Sequence, residues 1–135
     1  MPKKQTIIEE AQYLSDRLST QVRTIALGLL AVTWGLLIGE SHVAVAIAVK
    51  LKMHLIGIGA IAIFTMCFDF LQYFFGYLDS RALIKKMEAK KIDELKFRPS
   101  SCWYKLRSSF FVVKQVSLGI GVGWFIGTLV WYFLK

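Results

Sequence analysis

Three stretches of the chain, 24–39, 55–78 and 116–134, are continuously apolar, and most polar positions lie between them. At a rise of about 1.5 Å per residue they extend roughly 24, 36 and 28 Å, against a hydrocarbon core of about 30 Å. Outside these stretches the pattern becomes periodic. Ile7, Ile8, Ala11, Leu14, Leu18 and Val22 recur at steps of three and four, which predicts an amphipathic helix over 1–23. No proline or glycine separates that stripe from the first span, so the two read as one rod. Ile84, Met87, Ile92 and Leu95 continue an apolar face beyond the second span as far as Pro99, and Ser100 or Ser101 stands ready to cap a new helix through Trp103 and Leu106. Residues 40–54 form the outer connection; within it 43–49 is too short to span and reads as an interfacial helix or the outer end of a tilted rod.

The pattern predicts an all-α integral membrane protein of three transmembrane helices with cytoplasmic helical extensions, 1–23 and 79–115. Within them the helices over 5–23 and 79–97 match in length and run in opposite chain directions. They can zip into an antiparallel stalk or lie on the bilayer surface. Composition agrees, since 56% hydrophobic residues and a mean hydropathy of +0.52 exceed what a soluble domain carries. A cleaved signal peptide fits poorly, because Glu9, Glu10 and Asp16 interrupt the lead that should be short and basic.

Charge sets the orientation. Of 17 Lys and Arg, only Lys50, Lys52 and Lys135 fall outside the lead and the region between the second and third spans. The positive-inside rule therefore puts the N-terminus in the cytoplasm and the C-terminus outside. Cys67 and Cys102 lack metal-ligand spacing and read as free thiols in a reducing compartment.

In lipid, helices recognise each other partly through small residues that let backbones approach. Gly119, Gly123 and Gly127 share one face of the third span, and Gly28, Gly35 and Gly39 give the first span a smaller one. These faces predict helix packing, within one subunit or between copies, and point to a homo-oligomer.

Asp69 is the acid inside an apolar span, roughly 13 Å from its inner end at 1.5 Å per residue. Unpaired, it would cost about 2.5–3.5 kcal/mol to insert. It either lines a pore and binds a permeating cation, or is a structural acid paired with Gln72, Thr65 or a snorkelling Lys114. No second carboxylate, His or Arg is expected in the apolar interior with it, which argues against a proton relay. Tyr73, Phe74, Phe75 and Tyr77 on one side, and Trp131, Tyr132 and Phe133 on the other, suit interfacial belts, while Trp34 and Trp124 suit packing anchors. His42 and His54 beside Glu40 read as solvated loop residues rather than a metal site.

The basic region carries Arg98, Lys105 and Arg107 around Trp103 and Tyr104, a set that suits anionic headgroups better than a nucleotide or nucleic acid. Membrane lipids, further copies of the chain and a soluble cytoplasmic partner are the expected partners. No Walker loop, GxSxG, HExxH or paired catalytic acids occur, so neither an enzyme nor a cofactor or metal is expected.

Across residues 5–97, two spans with helical extensions resemble the SLATT-type small membrane effectors of bacterial defence systems, with the third span as a departure from the two-span pattern. The resemblance implies a bacterial inner-membrane homo-oligomer that permeabilises the membrane when triggered. The alternative is a non-conducting accessory or anchor subunit of a larger membrane complex.

Overall fold

A computed structural model describes residues 4–90 and 102–135. It holds three helices: α1 (Lys4–Ile38), α2 (His42–Lys90) and α3 (Cys102–Leu134). All three are long and apolar enough to cross a membrane. At 1.5 Å per residue they are about 52, 74 and 50 Å long, so each outruns an apolar core of about 30 Å. The stripe of α1 and the first span form one rod, as the lack of a breaker between them predicts.

The turn between α1 and α2 is very short. Ser41 caps α2: its Oγ accepts from the Ala44 N–H at 3.1 Å and its carbonyl from the Val45 N–H at 2.9 Å. Gly39 ends α1 where no side chain fits, because a Cβ there would stand 2.6 Å from the Gly35 carbonyl oxygen and 2.8 Å from the Ala44 Cβ. Residues 43–54 consequently belong to α2, and 43–49 are the first turns of that rod rather than a separate helix. Pro99, Ser100, Ser101, Ile92 and Leu95 lie outside the described residues, and α3 is helical from Cys102 onward.

α2 is the central element and packs against both α1 and α3, which touch each other less. The interior is layered along the rods. Ile47, Leu51 and Leu55 are buried near the α1–α2 turn with Leu36, Leu37, Phe125 and Tyr132 against them. Next come Leu29, Ile58 and Ala62, then Val22, Ala26 and Leu118. The buried threonines among these layers satisfy themselves, Thr33 donating to the Leu29 carbonyl and Thr65 to that of Ile61, each at 2.9 Å.

The glycines that close these seams are Gly57, Gly59, Gly76 and Gly121. A Cβ on Gly121 would meet Ile61 at 3.0 Å and Leu29 at 3.3 Å, and one on Gly57 would meet the Trp124 ring at 2.9 Å. Trp124 is thus a packing anchor within the chain, whereas Trp34 is exposed. Gly119, Gly123, Gly127, Gly28 and Gly35 have nothing within 4 Å of an added Cβ. Packing inside one subunit, one of the two readings of these faces, is not what they do here. The reason is rotational: Gly121 turns one face of α3 inward, and a residue two positions away on a helix points far round from it.

Residues 91–97 of the expected antiparallel stalk lie outside the described residues, as do the side chains of Ile7 and Ile8. Of the apolar positions that are described, Leu14, Leu18 and Ile84 are exposed, whereas Val22 is buried in the seam between the helices.

Candidate functional site

The buried apolar layers end in a polar one. Asp69 of α2 is met there by Ser19 and Arg23 of α1 and by Lys114 of α3. Ser19 Oγ donates to Asp69 Oδ1 at 2.8 Å, and Lys114 Nζ lies 2.5 Å from both Oδ1 and Ser19 Oγ. Arg23 donates from Nε at 2.9 Å and from Nη2 at 2.6 Å, both to Oδ2. Tyr73, one turn along α2, donates to Ser19 Oγ at 3.2 Å and lies near both cations, 5.5 Å from Arg23 Cζ and 5.9 Å from Lys114 Nζ at its ring centroid. Lys114 is 0% exposed, its ammonium also 5.4 Å from the Phe111 ring.

Sequence spacing explains why these groups meet. Ser19 and Arg23 are four apart on α1, and Asp69 and Tyr73 four apart on α2, so each pair shares a face with the apolar stripe that buries it. Val22 and Ala26 pull α1 against α2, and Leu118, four residues beyond Lys114, seats α3 in the same groove. The apolar packing carries the charges into contact.

Asp69 is therefore a paired structural acid in the single chain, with both oxygens occupied and its side chain 6% exposed. Lys114, one of the anticipated partners, is a direct one. Gln72 is not: it is buried, its Oε1 has no hydrogen-bond partner, and Thr65 turns to its own helix. The other direct partner is Arg23, which the sequence did not connect to this acid. Its Cα sits at the edge of the span, but its side chain is long enough to run along α2 to the carboxylate. Ser19 escaped the sequence reading altogether, since one hydroxyl in a polar amphipathic segment leaves no signal.

At 1.5 Å per residue about 26 Å of helix separates Lys52 from Asp69 and about 30 Å separates Lys114 from Leu134. Those lengths match one hydrocarbon thickness. Phe75 stacks on Phe110 and Trp103 at 5.5 and 5.7 Å, and Phe68 on Phe110 at 5.9 Å, so an aromatic seam between α2 and α3 flanks the polar layer.

The remaining candidates are dispersed. Arg107 packs its stem over Gly76, with Cδ 3.4 Å from where a Cβ would be, and its side chain is otherwise exposed like that of Lys105. Arg98 lies outside the described residues. Trp124 Nε1 donates to His54 Nδ1 at 3.2 Å, so His54 is an edge-on packing partner within α2 rather than a loop residue. Among the described residues no three His, Cys, Asp or Glu side chains come together as a metal site. Comparison with protein-family models, curated proteins and solved structures finds no match to this chain.

Proposed function

We propose that the protein is a small, non-catalytic integral membrane protein that works by assembling with copies of itself, as a pore-forming or membrane-perturbing effector. The observation that carries this reading is the division of the α3 glycines: Gly121 is used inside the chain, while Gly119, Gly123 and Gly127 present an unoccupied small-residue face. In lipid such a face is the preferred approach for a second helix. Any conducting path then lies between subunits, because the interior of one chain is packed with apolar side chains from Ile47 to Leu118 and ends in a carboxylate already held by two cations. The N-terminus and basic region face the cytoplasm, as the cation distribution requires.

The second reading, a non-conducting accessory or anchor subunit, is favoured by the same saturated Asp69, which offers no free carboxylate to a permeating ion, and by the exposed apolar positions Leu14 and Ile84, which a soluble partner can cover. Native mass spectrometry of the solubilised chain, run beside planar-bilayer conductance, separates the two. A defined oligomer with discrete currents is expected; a silent monomer overturns the effector reading in favour of the accessory one.

A further inference from the structure

The polar layer carries one charge too many. Asp69 supplies one negative charge, while Lys114 and Arg23 supply two positive ones. Lys114 alone is enough to neutralise the acid: it is wholly buried and bonded to Asp69 Oδ1 and to Ser19, so its charge is spent inside. Arg23 is different. It commits Nε and Nη2 to Oδ2, yet its side chain stays 46% exposed, and a guanidinium has five N–H donors. An excess charge at the end of an apolar slab is stabilised by an anion or by water, and the group offered here is a flat donor edge suited to phosphate oxygens.

We infer that the exposed edge of Arg23 is a binding site for the phosphate of an anionic phospholipid headgroup. This rests on the proposal that the helices span a bilayer. Two observations favour a lipid over a soluble anion. The site lies about 26–30 Å of helix from the opposite polar end, the thickness of a hydrocarbon core, so Arg23 stands at headgroup level. Its guanidinium also has an aromatic neighbour: it lies over the Tyr73 ring at 5.5 Å, and Phe70 and Phe74, on the same helix as Tyr73, are exposed. Interfacial aromatics of this kind pack against acyl chains and glycerol backbones. A phosphate there makes the layer neutral, with Lys114 answering Asp69 and Arg23 answering the lipid, while Arg23 keeps its bridge to α2.

The test uses the full chain in detergent, titrated with phosphatidylglycerol or phosphatidylcholine and read by native mass spectrometry for retained lipid. Wild type should retain phosphatidylglycerol about tenfold more strongly than phosphatidylcholine. Arg23→Gln, which leaves the neutral Asp69–Lys114 pair in place, should abolish that preference, and Arg23→Lys should keep part of it. Should Arg23→Gln fail to fold, Arg23→Lys and the wild-type lipid comparison still decide. Equal retention of both lipids by wild type, or an unchanged preference in a folded Arg23→Gln, overturns the site. Full displacement of the lipid by millimolar inorganic phosphate overturns the lipid assignment in favour of a free-anion site. The assembly reading is judged separately, from protein mass alone, so either can fail without the other.

Discussion

Within nine residues α3 turns two opposite faces to the world. Gly121 is pressed against Ile61 and Leu29, and Lys114, two turns back on the inward side, is buried against Asp69; Gly119, Gly123 and Gly127 meet nothing within 4 Å. The same residue type therefore does two jobs. On the inner face glycine lets α3 approach α2 closely enough for a lysine to reach a carboxylate. On the outer face it keeps a surface flat, which in lipid matters to a second helix rather than to the first.

The inner face should be the more costly to disturb. Asp69→Ala leaves Lys114 buried without its acid, and loss of about 3–5 kcal/mol is expected in detergent unfolding, as when one partner of a buried pair is removed. Gly121→Leu comes next: its Cβ enters a space already filled by Ile61 and Leu29, at a cost of about 1–3 kcal/mol for overpacking, visible as a lower unfolding midpoint. Ser19→Ala removes a hydroxyl that both donates to Asp69 and accepts from Lys114 and Tyr73, and should cost about 1 kcal/mol. The outer face should behave in reverse. Gly123→Leu should change unfolding of the single chain by less than about 0.5 kcal/mol, since it touches nothing there. Its effect should appear instead as loss of oligomer in native mass spectra. An unchanged oligomer would remove the outer glycines from the assembly seam, and a large drop in monomer stability would mean that the two faces are not distinct.

Arg23 tells how far the local pattern reached. Its position before the first span was plain, and its charge was grouped with the other cations of that lead. Nothing in the linear order said that it would bridge to a residue 46 positions away, because that depends on the rotation of α1 about its axis and on how closely α2 lies. Gln72 failed for the complementary reason. It stands three residues from Asp69, the spacing at which helical neighbours meet, yet Asp69 is turned towards α1 and α3, which supply stronger, charged donors. The apolar stripe of α1 was read correctly as far as its helix, but among its described side chains Val22 is buried while Leu14 and Leu18 remain exposed.

What the sequence determined was everything that depends on counting along one rod: three helices, their apolar lengths and the breaker-free run of α1. These follow from periodicity, hydropathy and the conformational limits of individual residues, which act within a few positions of one another. Tertiary structure decided which glycines close seams and which stay open, which cations reach Asp69, and that residues 43–54 extend α2 towards Tyr132 instead of lying apart. Those outcomes turn on the relative rotation and separation of whole helices. Because a helix presents a new direction every 100° or so per residue, a small change in rotation exchanges one set of partners for another.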